Sequence, residues 1–356
     1  MPDDVLELRD AESAFEQIEE WLAERGFFAS GSEELAADLY LGYGLSQAIR
    51  RRTTPPPPEP CPALPLAACR LRRPAADDGY GDFGVGEWEQ TWTAAEHEGA
   101  VEAVRDAIAR GDVYQVNVVQ HLRAPFAGDP RGVAARLTPL RPLHPDPFVT
   151  DDWAVVSASP ELFLALRGDR IWTKPIKGTR PRGEAAELRS SRKDAAEHVM
   201  IVDLERNDLS RVCRAGTVRW PELMATRELA GVEHMVSRVE GNLRPDAGPA
   251  EILEALFPGG SVTGAPKIAA VDLIAELEPV GRGASMGALG VIRGNGDLDL
   301  ALTIRTFAIA EEAIHLWVGG GVVWDSDPAK EVGESWTKAR PLLERLGSHL
   351  PEVARA

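Results

Sequence analysis

Cysteine is scarce in this chain of 356 residues: Cys61, Cys69 and Cys213 are the three present, with no C-x-x-C spacing and no nearby histidine pair. That excludes a disulfide scaffold and a cysteine-based zinc site, and it leads to the expectation of a reduced, cytoplasmic protein. No run of about 18 apolar residues occurs, so no membrane-spanning helix and no membrane partner are expected. The first residues, Met1-Pro2-Asp3-Asp4, are acidic and no apolar stretch follows them, which is not the pattern of an export signal. Basic side chains are outnumbered, 39 against 56 acidic, for a formal net charge of −17. Nucleic acid is excluded as a partner, because a phosphate-neutralising surface needs a basic stripe that no segment supplies.

Several catalytic signatures are also missing. Gly79-Tyr80-Gly81-Asp82-Phe83-Gly84 has the G-x-G-x-x-G spacing, but Asp77 and Asp78 stand where a buried strand should lead in, and no helical pattern follows. Gly259 and Gly264 have P-loop spacing, with Ala265 and Pro266 in the places of the required Lys and Ser/Thr. No G-x-S-x-G elbow and no H-E-x-x-H occur, so serine hydrolase and zinc protease chemistry drop out. There is no internal repeat.

What remains is a globular pattern. Apolar residues make up 44% of the chain, enough for a core, and 33 Gly with 27 Pro imply many turns. Residues 4–25 space Leu6, Phe15, Ile18, Trp21 and Leu22 as an amphipathic helix. The proline run Thr53 to Pro60 is an extended loop or linker. Beyond it the pattern predicts helices over Ala94–Arg110, Lys193–Leu209, Ala265–Leu277 and Glu331–Leu346. Strands are expected over Val113–Leu122, Trp153–Ser157, Leu162–Leu166, Met286–Arg293, Leu298–Ala308 and Ile314–Val318. Strands outnumber the crossover helices an all-parallel sheet needs, so the fold class is α+β. Residues 1–90 form a short N-terminal segment with the proline loop, packed on or continuous with a core of residues 91–350.

Four constellations carry chemistry. Phe257 to Lys267 is a glycine-rich turn feeding a helix, with Ser261, Thr263, Gly264 and Lys267 beside free backbone N–H groups; it is either an anion cradle or an ordinary helix cap. Asp194 and Glu197 are three apart on one helix, and Glu331 and Glu334 on another. Such oxygen ligands suit Mg²⁺, although a solvated helix face is the commoner meaning of either pair alone. Lys177 lies between Ile176 and Gly178 in a basic loop; an ordinary surface loop is the commoner meaning, and the other is that desolvation lowers its pKa and frees a nucleophilic amine. Glu161, in Ser159-Pro160-Glu161, follows a strand and precedes apolar residues, where a raised pKa would suit a general acid, although a surface glutamate at a strand end is the commoner case. His234 and Arg305 each sit in apolar or strand-like surroundings, and alone each reads as structural.

Together these segments resemble the chorismate-utilising enzymes, which include anthranilate synthase component I, aminodeoxychorismate synthase component I, and the isochorismate and salicylate synthases. The resemblance runs from about Val101 to Leu346. It rests on Gly111 to Asn117, Ser159-Pro160-Glu161, the Lys177 loop, Glu197 to Leu209, His234 to Ser237, Gly260 to Lys267, Ile304-Arg305-Thr306 and Gly319 to Val323, in the family's order. It implies that family's fold, with mixed or antiparallel sheets in a sandwich flanked by helices. By the same resemblance, Glu197 and Glu334 would hold Mg²⁺ against the ring carboxylate of chorismate, with Asp194 and Glu331 as outer ligands. Arg305, Lys338 and the backbone of Gly319, Gly320 and Gly321 would meet the other carboxylate, and Ser261, Thr263, Gly264, Lys267 and Gln115 would line the pocket. Glu161 would protonate the leaving hydroxyl and His234 would orient it.

Two positions select within the family. Hydrating members have a lysine general base where this chain has Gln115, and an amide cannot activate water. Anthranilate synthases usually carry a small residue where Lys177 stands, whereas aminodeoxychorismate synthases carry Pro-Ile-Lys-Gly-Thr. The resemblance therefore implies an aminodeoxychorismate synthase component I, with Lys177 forming a covalent intermediate, feeding p-aminobenzoate and folate synthesis. Anthranilate synthase component I is the alternative. A chorismate-binding subunit without turnover is another, motivated by Ser285 where the family has tyrosine. No cysteine lies in a glycine-rich elbow, so ammonia derived from glutamine would need a separate amidotransferase subunit.

Overall fold

The computed structural model describes residues 5–72, 79–229 and 232–350. The acidic residues 1–4, and Asp77 and Asp78 before the glycine motif, lie outside the described residues. In chain order the elements begin with β1 (Val5–Leu8), α1 (Ala14–Glu24), β2 (Ala36–Leu41), β3 (Ala67–Leu71), β4 (Phe83–Val85), β5 (Glu89–Gln90), α2 (Ala94–Arg110), β6 (Gln115–Gly128) and α3 (Pro130–Leu137). Next come β7 (Phe148–Val149), β8 (Trp153–Ser157), β9 (Leu162–Arg167), β10 (Arg170–Lys174), β11 (Ile176–Pro181), α4 (Ala185–Ser190), α5 (Arg192–Ser210), β12 (Arg219–Leu229) and β13 (Val232–Asn242). The remainder is α6 (Pro249–Leu256), β14 (Gly264–Ala265), α7 (Lys267–Leu277), β15 (Ala288–Arg293), β16 (Leu298–Leu302), β17 (Thr306–Ala310), β18 (Ala313–Val322) and α8 (Pro328–Arg345).

These strands build two sheets. The ten-stranded sheet runs β1-β3-β2-β15-β16-β9-β10-β13-β11, with β12 also on β13; the eight-stranded sheet runs β14-β6-β18-β17-β8-β7, with β4 and β5 also on β6. All strand pairs among the described residues are antiparallel. The α+β class inferred from the sequence is thus the architecture found.

Side-chain alternation explains how the layers stack. In the eight-stranded sheet, Val155, Ala308 and Trp317 join Leu39, Leu164 and Leu300 of the other sheet in one core. Their neighbours Val156, Phe307, Leu316 and Val318 point the other way, onto Trp336, Ala339 and Leu343 of α8. Successive residues of a strand face opposite sides, so strands apolar on both faces must be covered on both. Helix α2 shows how local sequence sets an element: Thr93 and Glu96 form a reciprocal capping box, and Gly111 closes the helix at φ 82°.

Two expectations need correction. The segment 4–25 is not one helix: Val5–Leu8 is strand β1, paired with β3, and helix α1 starts at Ala14. Leu6 and Leu8 alternate with polar Glu7, and an available strand edge outweighs helix propensity. Leu298–Ala308 is not one strand either. The chain breaks at Arg305, φ 51°, so β16 ends in the ten-stranded sheet and β17 begins in the other. The proline run, read as a loop or linker, is a largely exposed loop, tied down at its end where the Glu59 carboxylate accepts from Gly283 N at 3.0 Å.

Candidate functional site

The site forms where the start of β6, the end of β18, β11 and the first half of α5 meet. Lys177 on β11 places Nζ 2.9 Å from Glu197 Oε1 on α5. Gln115, the first residue of β6, donates from Nε2 to that same oxygen at 3.0 Å. A register shift between Lys177 and Thr179, around Gly178 at φ 67°, lets β11 bulge toward α5.

The glycine-rich turn joins this group from the other side. Ser261 Oγ donates to Glu161 Oε1 at 2.8 Å, and Ser261 O accepts from Lys177 Nζ at 3.3 Å. One residue therefore addresses both the candidate acid and the candidate nucleophile. Ile176 N lies 3.4 Å from Glu161 Oε1 and donates to it.

The electrostatics of the two have different causes. Burial raises Glu161 above the usual carboxylate range, and Lys177, Ser261, Ile176 and Arg305 offset this in part. Burial works to lower Lys177, but Glu197, Glu161 and Glu334 outweigh it and hold the ammonium above its ordinary value. This corrects the expectation of a desolvated, lowered lysine: the loop is apolar on either side of Lys177, yet carboxylates face its tip.

Helix α8 and the glycines of β18 complete the site. Lys338 Nζ donates to Gly319 O at 2.8 Å and lies 2.9 Å from Glu334 Oε1. A Cβ on Gly320 would stand 3.5 Å from Glu331 Oε2 and 3.8 Å from Glu334 Oε1, and one on Gly321 would stand 2.9 Å from Glu197 Oε1. The absent side chains leave open the space between the carboxylates of α5 and α8. Asp194 is engaged by Arg180 Nη2 at 3.0 Å, and Glu331 Oε1 accepts from Ser326 Oγ at 2.7 Å. Among the described residues no three His, Cys, Asp or Glu side chains converge on one point. Carboxylate oxygens are the donor type Mg²⁺ takes, one or two at a time with its waters kept; Glu197 and Glu334 line the glycine gap from α5 and α8.

The other sequence candidates are distributed around this centre. His234 Nδ1 is 3.3 Å from Gly178 O, and burial lowers its pKa. Arg305 sits at the crossing between the sheets, its pKa lowered by burial and raised by Glu161. Thr263 Oγ1 donates to Gly259 O at 2.9 Å, so it braces the turn. Gly264, at φ 148°, pairs with Val116 of β6. Lys267 is turned beneath the turn, 2.6 Å from Asp208 Oδ2 and donating to Leu256 O. Ser285 is fully buried and its Oγ donates to Thr303 O.

Sequence reasoning missed the buried group behind the turn. Glu205 accepts from Gly260 N at 3.2 Å, and burial, with Asp208 nearby, pushes its pKa up to about 8. It also gave no role to Asn117, two residues after Gln115 on β6; strand alternation was the signal available. A concavity of about 830 Å³ lined by Val85, Phe126, Trp153 and Glu311 lies elsewhere and includes none of these residues. No helix of the described residues is long and apolar enough to cross a membrane.

Comparison with known proteins shows the family and the fold. Residues 32–344 match the family described as chorismate binding enzyme. Anthranilate synthase component 1 of Thermus thermophilus is 42% identical over 264 residues, 70% of this chain and 56% of that protein. Aminodeoxychorismate synthase component 1 of Klebsiella aerogenes is 38% identical over 270 residues, 73% of this chain and 60% of that protein. The chain thus spans little more than half the length of these curated relatives. The crystal structure of anthranilate synthase component I from Streptococcus pneumoniae superposes with a TM-score of 0.79 at 26% identity, covering 91% of this chain and 84% of that one. DhbC from Bacillus anthracis shares the fold, with a TM-score of 0.74 at 23% identity over 96% of this chain and 91% of that one. The chain belongs to the chorismate-binding enzyme family.

Proposed function

We propose that the chain is an aminodeoxychorismate synthase component I, converting chorismate and ammonia to 4-amino-4-deoxychorismate and water. The observation that carries this reading is the Lys177 amine beside Glu197, tied through Ser261 to a buried acid, Glu161. An alanine at position 177 could form no covalent intermediate.

In this scheme the Lys177 ammonium first gives its proton to solvent, a loss that positive charge bound at Glu197 would favour, and the free amine attacks C2 of chorismate. Electrons shift through the ring, and the C4 hydroxyl leaves as water with the proton of Glu161. Ammonia then attacks C4, and the C2–N bond breaks with its electron pair returning to Lys177. The Glu161 carboxylate regains a proton released from the nitrogens. Arg305 and Lys338 supply positive charge for the dicarboxylate, and His234 faces the loop that presents Lys177. Glu197 and Glu334 would hold Mg²⁺, which would supply positive charge for the substrate's ring carboxylate. We further propose a cytoplasmic enzyme of p-aminobenzoate and folate synthesis, with a separate amidotransferase subunit delivering ammonia.

A second reading is anthranilate synthase component I, favoured by the names of most of the similar curated proteins. Purified protein incubated with chorismate, Mg²⁺ and an ammonium salt separates the two. Aminodeoxychorismate, convertible to p-aminobenzoate by a lyase, supports the proposal. Anthranilate with pyruvate supports the second reading, and chorismate binding without product would make the chain a non-catalytic subunit.

A further inference from the structure

We propose that Gln115 and Asn117 form a subsite for neutral ammonia, their two side-chain oxygens accepting two of its N–H groups and aiming its lone pair at the ring. This rests on the chorismate-amination reading above and adds to it where the nitrogen sits.

Both side chains are buried, at 1% and 7% exposure, and neither Gln115 Oε1 nor Asn117 Oδ1 has a hydrogen-bond partner. Unpartnered buried polar oxygens are uncommon and call for an explanation. Local structure does not use them. Gln115 Nε2 is committed to Glu197 Oε1, which fixes the amide plane and leaves Oε1 directed elsewhere. The main-chain groups of Asn117 are also taken: its N–H donates to Thr263 O, and its C=O accepts from Arg282 Nη2 at 2.7 Å.

The two residues are alternate positions of β6, so they share a face, with Cα atoms about 6.6 Å apart. Asn117 stands opposite Gly321 in the β6–β18 ladder. A Cβ on Gly321 would be 2.9 Å from Glu197 Oε1. That places the face of Gln115 and Asn117 against the Glu197–Lys177 pair.

Two bare acceptors select the ligand by chemistry. They repel a carboxylate, which has no hydrogen to give, and they suit a small N–H donor. Ammonia gives two hydrogens to the amides and keeps its lone pair for the electrophilic carbon. No base is needed at that moment, because the new C–N bond leaves an ammonium that loses its proton afterwards. Water bound in the same place would need its proton taken as it attacks, and an amide oxygen does not take one. The subsite therefore favours amination over hydration.

The test uses the full chain with chorismate and Mg²⁺ in excess and ammonium chloride varied, with KM expressed as free NH₃. Asn117→Leu and Gln115→Met each remove one acceptor at similar volume, and the second also removes the donor to Glu197 Oε1, so Asn117→Leu is the cleaner test. Each is expected to raise KM for NH₃ by about tenfold, the equivalent of one lost hydrogen bond, while KM for chorismate stays within about threefold. An unchanged KM for NH₃ in both variants overturns the subsite, as does a parallel rise in both KM values. Loss of chorismate binding in both, followed by tryptophan fluorescence, marks the amides as structural and also overturns it. Product identity is a separate readout: anthranilate in place of aminodeoxychorismate ends the Lys177 scheme and leaves the ammonia subsite standing. Absence of any aminated product from the unaltered protein ends both.

Discussion

Lys177 Nζ and Gln115 Nε2 meet at a single atom, Oε1 of Glu197, at 2.9 and 3.0 Å. A cation and an amide share one carboxylate oxygen, so the nucleophile proposed for the reaction is oriented by the residue proposed to hold the metal. Lys177→Ala removes the amine without touching Arg305 or Lys338, the cations proposed to meet the substrate carboxylates. Aminodeoxychorismate formation should fall at least about a hundredfold, with the chorismate dissociation constant within about threefold. Product chromatography and a binding titration check this; an unaltered product and rate would remove the covalent role.

Glu161 must carry a proton to protonate the leaving hydroxyl. Burial raises its pKa, which keeps the carboxyl protonated further up the pH scale than an exposed glutamate. The sign follows: the rate is present below that raised pKa and declines as pH climbs through it. Glu161→Gln should lower kcat by about 10²–10⁴ while chorismate still binds, and its residual rate should lose this declining limb. Profiles of kcat/KM against pH for both proteins check the expectation.

Much of the fold was legible because periodicity is strong where burial is strong. Ala94–Arg110 matches α2 to the residue, and Trp153–Ser157 matches β8. The hairpin strands β12 and β13 were not foreseen. Among the described residues β12 pairs with β13 alone, and Arg219, Glu222, Arg227 and Glu228 break up its apolar pattern. The site residues were legible as types, but not their electrostatics. Ile176 and Gly178 beside Lys177 suggested an apolar pocket, whereas Glu197, Glu161 and Glu334 come from α5, the β8–β9 connection and α8. Those approaches are tertiary and leave no local trace.

Glu205 gives a stability prediction. Its folded pKa is pushed up to about 8 by burial, with Asp208 adding to the rise, and Lys267 and the Gly260 N–H offset only part. A carboxyl with a folded pKa above its unfolded one binds its proton more tightly in the native state. Native stability therefore falls as pH rises from the unfolded glutamate range toward 8, and levels off above. Glu205→Gln keeps an oxygen for Gly260 N–H and cannot ionise. The melting temperature of the variant relative to the unaltered protein should improve by several degrees between pH 5 and pH 8. Scanning calorimetry at the two values is the check, and a difference independent of pH would count against a protonated Glu205.

Two glycines near β6 should respond differently to alanine. At Gly321 the new Cβ would press on Gln115 Nε2 and stand 2.9 Å from Glu197 Oε1, both ends of flexible side chains. These can move aside, so the fold tolerates the change while the Lys177–Glu197–Gln115 arrangement does not. Gly321→Ala should leave the melting temperature within about 3 °C and lower kcat/KM by roughly a hundredfold. At Gly264, φ is 148° and the Cβ would run into the backbone carbonyl of Gln115, which cannot give way without shifting β6. Gly264→Ala should therefore cost about 3 kcal/mol of stability, read by denaturant unfolding. Equal stability losses in the two variants would mean that Gly321 serves packing and not the site.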